Sequence, residues 1–344
     1  MRVGVNYPWF DYGWDFGIAP PHWRQERSPR WFSEVDAHLG HFQRLGITVV
    51  RWFVLGDGLT YGSGDDAPHR NAASQEEWRF DAPVLDGDFL DHFSELLRRF
   101  ANMNKTARSP IQLLPVLVDF HFLEAGIEPV ERSDPSHSEA SVPDPAWVKQ
   151  GRSDAVVQPS IRSRFLDGVL APLLDISGSH RDVIYAWELI NEPEWVTNGW
   201  HPDGQMDHPV DEYDMRAFLD EAQDRVRIAG FSPTVGFASI DTPRRAGITM
   251  DINQFHHYPG GRRRLARHRF EGAFPTILGE FATAPSDVWP DLPADAQSVF
   301  DRLRLIEDRG YSLAMPWSFR GTDQHTTWSD ADVVRFMTRE GGGG

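Results

Sequence analysis

The chain has 344 residues, 40% of them hydrophobic, enough to bury a large core and too many for a disordered polymer. Its formal net charge of −17 argues against nucleic acid and against an anionic membrane surface, both of which it would be repelled by. With no cysteine, disulfides, thiolate metal sites and cysteine nucleophiles are excluded.

Short β-branched or apolar runs recur along the chain, each followed by a longer amphipathic stretch. Residues 3–6 predict the first strand and 35–45 its helix; 47–52 predict the second strand and 89–100 its helix. The third strand is expected over 111–119 with a helix over 161–174, and the fourth over 183–190 with a helix over 212–228. The fifth, 234–238, has only a short connector behind it, and the sixth, 252–256, is followed by a short helix over 262–269. The seventh, 276–280, leads to a helix over 294–308, and the eighth, 313–317, to a last helix over 330–337.

Such alternation implies a parallel sheet with helical crossovers. Eight repeats in this length favour a closed (β/α)8 TIM barrel over an open doubly wound sheet, and Gly-X-Gly-X-X-Gly is absent after the first strand. One α/β domain is expected over residues 1–340, with the glycines at 341–344 a flexible tail. Two connections are long, 56–87 after the second strand and 120–160 after the third. Both are rich in Gly, Pro, Asp and Ser and both lie on the active-site face of a barrel, so they are expected as cleft walls. The arginines at 262, 263, 264, 267 and 269 read as a solvated helix face. No charged start, apolar stretch and cleavage site precede residues 2–7, which predicts a cytoplasmic protein, or a secreted one if a leader has been removed. No uncharged apolar run is long enough to span a bilayer.

Two strings carry the chemistry: Trp187-Glu188-Leu189-Ile190-Asn191-Glu192-Pro193 and Ile277-Leu278-Gly279-Glu280-Phe281. Each places a carboxylate just past an apolar run that reads as a buried strand, where it is costly unless paired or used. Glu192 and Glu280 stand 88 residues apart, which suggests one site assembled from distant parts of the chain. Paired carboxylates at the strand ends of a barrel are the equipment of glycoside hydrolysis.

On these motifs the chain resembles clan A of the glycoside hydrolases, and most of all the cellulase-type family five. The resemblance implies that Glu192, in Asn191-Glu192-Pro193, is the acid/base and that Glu280, in Gly279-Glu280-Phe281, is the nucleophile. The family's second-strand arginine matches Arg51, and its histidine near the third strand matches His121 in Asp119-Phe120-His121. Its His-X-Tyr on the sixth strand matches His256-His257-Tyr258, and its eighth-strand tryptophan matches Trp317. The matches run from the second strand to the eighth. They imply a retaining β-glycosidase that acts on a β-linked oligosaccharide or glycoside by double displacement, with no cofactor and no metal.

The chemistry of the residues runs parallel. Glycosidic cleavage needs one carboxyl protonated and one ionised. Arg51 beside Glu280 would favour the ionised form, and Tyr258 could donate a hydrogen bond to the same carboxylate. Asn191 could hold the sugar 2-hydroxyl, and Trp317 offers a flat face for a ring. Structural alternatives stay open: either glutamate as an ion-paired carboxylate, Arg51 as a floor anchor or partner of Asp57, His121 and His256 as satisfied strand-end histidines, Trp317 as core. Of 13 tryptophans, Trp9, Trp14, Trp23, Trp52 and Trp195 lie near strand ends and are candidate sugar platforms. His201-Pro202-Asp203 with Asp207-His208 has metal-ligand residue types but no recognised spacing and reads as a surface turn. A serine hydrolase has no Gly-X-Ser-X-Gly anchor. Rival readings are a sugar-binding barrel without catalysis, a metal-dependent sugar isomerase, an inverting enzyme, a transglycosylase, and an endo-acting β-glucanase or β-mannanase. The residues do not choose among sugars or fix the oligomeric state.

Overall fold

The structure, a computed structural model, describes residues 1–10, 15–17, 30–59, 61, 80–126, 128–129, 148–201, 208–259, 264–265, 274–321 and 323–339. Eight parallel strands close into a barrel in sequence order: β1 Arg2–Asn6, β2 Val49–Phe53, β3 Gln112–Asp119, β4 Trp187–Asn191, β5 Pro233–Phe237, β6 Asn253–His257, β7 Thr276–Ala282 and β8 Leu313–Trp317. Closure is direct, with Gly4 opposite Val49 on one side of β1 and Arg2 opposite Leu313 on the other. The expected (β/α)8 architecture is therefore present.

The outer layer is made by α1 Arg30–Leu45, α2 Gly87–Asn104, α3 over residues 159–178, α4 Glu212–Ile228, the short α5 Asp241–Ala246, α6 Val299–Asp308 and α7 Asp330–Arg339. The physics of α2 is typical. Asp86 caps its first turn by accepting from the Phe89 amide at 2.7 Å. Phe89, Phe93, Leu96, Leu97 and Phe100 recur on one face and are buried against the barrel, each contributing about 1.5–3 kcal/mol of transfer free energy. Among the described residues no helix is long and apolar enough to cross a membrane.

Several boundaries differ from the sequence reading: the first helix starts at Arg30 rather than 35, and the helices expected over 89–100 and 161–174 run on to 104 and 178. The sixth-strand helix over 262–269 falls mostly outside the described residues; Arg264 and Leu265, which are described, are not helical. The helix expected from residue 294 begins at Val299, because Ser298 and Asp301 form a reciprocal capping box there. Just before it, Gln297 is drawn away from a helix to bind the Trp289 amide and carbonyl. The fourth strand starts at Trp187 rather than 183, since residues 181–183 form a single 3-10 turn.

The barrel interior is layered. Val49, Leu114, Ala186, Ile252, Ile277, Leu313 and Met315 form an apolar plug at one level. Strand alternation then sends Val50 and Trp52 outward to the helices, while Arg51, between them, turns inward. Above the plug lies a polar layer of Asn6, Arg51, Glu188, Thr234 and Gln254, each 1% exposed or less. The described parts of the two long connections are pinned together by the buried Arg152, whose guanidinium donates to the carbonyls of Gly58 (2.7 Å), Tyr61 (3.0 Å) and Gln150 (2.6 Å). Tyr61 from one connection stacks on Phe122 from the other, 6.1 Å between centroids. The remainder of both connections, 62–79 and 130–147, lies outside the described residues, as does the tail at 341–344.

Candidate active site

Two irregular strands aim the site. On β4, Glu188 pairs with Thr234 but Asn191 pairs with Gly236, so three steps on β4 match two on β5. On β7, Leu278 pairs with Phe255 and Glu280 with His256, so Gly279 is an extra residue. Bulges of this kind re-aim side chains. Here one precedes Glu192 and the other precedes Glu280, and both carboxylates reach the same cavity of about 390 Å³. At Gly279 a Cβ would come within 2.5 Å of Gln254 Nε2, so the bulge closes only around glycine. Asn6 fastens it, donating to the Gly279 carbonyl at 2.9 Å and to that of Met315 at 3.1 Å.

Glu192 itself sits in the left-handed region, φ 45° and ψ 53°, a conformation that costs a non-glycine residue on the order of 1–3 kcal/mol. Pro193 and the buried Glu194 hold it there, Glu194 accepting the amides of Ala238 and Ser239 at 3.1 Å each. One carboxylate oxygen of Glu192, one of Glu280 and a ring nitrogen of His256 all lie within 4.8 Å of one another. Such donors could gather round a metal ion; the cation provided by the chain at this point is the Arg51 guanidinium.

Arg51 is fully buried and every partner is fixed. Its Nε and Nη2 donate to the two oxygens of Glu188 at 2.6 Å each, its Nη1 to Glu280 Oε1 at 2.5 Å and Asn6 Oδ1 at 2.9 Å, and its Nη2 also to Asn191 Oδ1 at 2.8 Å. Tyr258 donates to the other oxygen of Glu280 at 2.7 Å. The Glu280 carboxylate is thus gripped on both oxygens. His256 Nδ1 lies 2.8 Å from Glu192 Oε1 and 3.7 Å from Glu280 Oε2, and Trp195 Nε1 donates to Glu192 Oε2 at 2.7 Å.

These contacts set the electrostatics. Burial would raise the Glu192 pKa, but the hydrogen bonds of His256 and Trp195 and the charge of Arg51 outweigh it and hold the carboxyl below its ordinary range. Burial disfavours a charged His256, yet Glu280 and Glu192 hold its pKa above the ordinary value. Burial, then the charges of Glu280 and Glu192, push Tyr258 up and keep it a hydroxyl donor. Asp119 is pushed up to about 6 by burial, against His121 and Asn191. At His121 burial is overcome by Glu124, at 2.7 Å, and by Asp119 and Asp57, which lift it to about 9.

Of the residues read from sequence, Glu192, Glu280, His121, Asn191, Tyr258 and Trp317 all line the cavity. Arg51 and His256 do not; both are buried beneath it and act on the glutamates. Asn191 is held between Arg51 and Asp119, its Nδ2 donating to Asp119 Oδ1 at 2.8 Å. Trp317 is half-buried with its Nε1 on Asp323 Oδ2 at 2.9 Å, so it is not core. Among the candidate platforms, Trp9 lines the cavity and Trp195 stands beside Glu192. Trp52 is a correction: it is 1% exposed and its indole nitrogen binds Asp15, because it occupies an outward strand position. Trp14, Trp23 and most of the 201–208 loop lie outside the described residues.

Sequence reasoning missed Glu188, Gln254, Asn6 and Glu194. A signal existed for Glu188, a carboxylate in mid-strand that burial allows only with a paired cation. Asn6 and Gln254 are neutral residues in strands and gave none.

The fold and site together define a (β/α)8 barrel with two carboxylates converging at the C-terminal ends of β4 and β7. No protein-family model and no curated protein matches the chain. Solved structures do. The chain is similar to the endo-1,4-β-mannanase from Eisenia fetida, with TM-score 0.66, 16% identity, and 99% of this chain and 91% of that one covered. It is also similar to the β-mannanase from the blue mussel Mytilus edulis, with TM-score 0.60, 17% identity, and coverage of 98% and 90%. The β-1,4-D-mannanase from Cryptopygus antarcticus gives TM-score 0.61 at 15% identity, with coverage of 98% and 89%. At these identities the likeness is one of fold, over almost the whole chain.

Proposed function

We propose that this chain is a retaining β-glycosidase that hydrolyses β-linked oligosaccharides or glycosides by double displacement. The observation that carries the reading is the approach of Glu192 and Glu280 oxygens to within 4.8 Å at the wall of one cavity. Retaining enzymes keep their carboxyls about 5–5.5 Å apart, whereas inversion needs roughly 6.5–9.5 Å to admit a water.

Glu280, held on Oε1 by Arg51 and on Oε2 by Tyr258, is the ionised and oriented group, and attacks the anomeric carbon. Glu192, with His256 Nδ1 2.8 Å from its Oε1, delivers a proton to the departing glycosidic oxygen. The covalent glycosyl-enzyme is then opened by water that Glu192, now a base, deprotonates. Asn191, fixed by Arg51 and Asp119, faces the sugar 2-hydroxyl, and Trp317 covers the ring.

The substrates we propose are short soluble β-linked glucosides, mannosides or related sugars, cleaved at or near a chain end. A second reading is internal cleavage of a soluble β-mannan; it is favoured by the three similar barrels, all of which are mannanases by name. A panel of chromogenic glycosides varying sugar and anomer tests the class, and proton NMR of the first-formed product tests retention. First release of the inverted anomer would overturn double displacement. A rapid fall in the viscosity of a soluble mannan at low release of reducing ends would decide for the second reading.

A further inference from the structure

The Glu192 carboxylate has two hydrogen-bonded oxygens, and they are held differently. Oε1 faces His256, whose side chain is fully buried between β5 and β7. Oε2 accepts from the indole of Trp195, three residues along the chain, which is 37% exposed at the rim. The indole is steadied on the outside, standing edge-on to His201 with centroids 5.0 Å apart and tilted against Phe120 at 6.4 Å. An indole N–H can only donate. It makes its full bond to a carboxylate and a weaker one to a carboxylic acid, so its placement is not neutral between the two states of Glu192.

Resting on the glycosidase reading above, we infer that Trp195 is a positioning residue for the acid/base. Its N–H holds Oε2 in the ionised form that must deprotonate water in the second half of the reaction, and competes with protonation of that oxygen in the first half. Other charges facing Glu192 come from different elements: Arg51 on β2, Asp119 on β3, His256 on β6 and Glu280 on β7, with Tyr258 beyond β6 and Glu194 in its own turn. All are buried or anchored in the barrel mouth. Trp195 is the donor that can be removed from the rim without opening the buried cluster.

The test compares Trp195→Phe, which keeps a ring and removes the donor, with Trp195→Leu, which removes both. Glu192 is titrated by ¹³C NMR of carboxyl-labelled glutamate, its signal identified by loss in Glu192→Gln. In parallel the basic limb of kcat/KM, which reports the acid of the free enzyme, is followed on an aryl glycoside with a poor leaving group. Loss of the indole bond raises the Glu192 pKa, so both readouts move to higher pH, by about one unit for one charge-assisted hydrogen bond. Both variants move alike. An unmoved Glu192 titration in Trp195→Phe overturns the inference, as does a shift in Trp195→Leu alone, which would assign the effect to ring packing. The NMR arm needs no turnover, so a wild-type chain inactive on every glycoside would overturn the glycosidase reading while the titration still judged Trp195.

Discussion

Arg51 and Glu188 form a two-pronged pair at the centre of the barrel, Nε to Oε2 and Nη2 to Oε1, both at 2.6 Å, with neither side chain reached by solvent. The pair leaves Nη1 free of Glu188 and directs it at Glu280. Orientation of the proposed nucleophile is therefore built from below, by a carboxylate that never meets the cavity.

Removing Glu188 leaves Arg51 facing Glu280, but it takes the acceptor from Arg51 Nε and from Gln254 Nε2, each buried donor left unpaired costing about 1–3 kcal/mol. Glu188→Ala is expected to lose stability on that scale and to lose activity, because Arg51 is then free to turn. Urea unfolding gives the first, and turnover of the best chromogenic glycoside the second. A loss below about 1 kcal/mol would mean that Arg51 is held well enough by Asn6, Asn191 and Glu280.

Roles of the two glutamates separate by leaving group. Glu280→Ala is expected to abolish turnover of every substrate, since no covalent intermediate can form. Glu192→Ala should be mildest in the first step for glycosides whose leaving group departs without protonation, with the defect passing to the second step, where the base is missing. Burst kinetics with activated and unactivated aryl glycosides distinguish them. Equal losses on both kinds of substrate would mean that the roles are assigned the wrong way round.

How far the sequence went is explained by which residues advertise themselves. Strand and helix alternation made the barrel legible, and Glu192 and Glu280 stood out because charge at the end of a buried strand needs a reason. The supporting layer was harder to see. Asn6 and Gln254 act through neutral hydrogen bonds, and Arg51 and His256 look like ligand-binding groups until their burial beneath the cavity is seen. The two bulges were invisible as well, because a bulge changes pairing with a distant strand and leaves little trace in local pattern. Trp52 failed as a platform for the opposite reason: proximity to a strand end says nothing about which face a side chain takes.

His121 carries a pH prediction. Its pKa is raised to about 9, chiefly through Glu124 against the effect of burial. A raised folded-state value means that the ion pair's contribution is fully present below about 6.5 and is lost as pH rises through about 9. The ring is 46% exposed, so solvent keeps the contribution small. Thermal midpoints of wild type and Glu124→Gln should differ at pH 6 and converge near pH 10, and imidazole NMR of His121 should titrate lower in the variant. A His121 that titrates identically in both proteins would remove Glu124 as its partner.

The last prediction concerns Gly236, on β5 across from the bulge of β4. A Cβ there would stand 2.3 Å from Glu188 Oε1, 2.9 Å from His256 Nε2 and 3.1 Å from Gln254 Nε2. All three belong to the buried layer and are already bonded or packed in place, with Gln254 donating to Glu188 at 2.7 Å. Gly236→Ala therefore pushes Glu188 toward Arg51 and His256 toward Glu192, though it touches neither glutamate of the cavity. Overpacking of this kind costs about 1–3 kcal/mol. A shift of reacting groups by about 1 Å is worth roughly 100-fold in rate. The expected result is a folded protein with a modestly lowered thermal midpoint and a large loss in kcat. A variant as active as wild type would show that the polar layer has room to relax, and that the geometry of Glu192 and Glu280 does not depend on it.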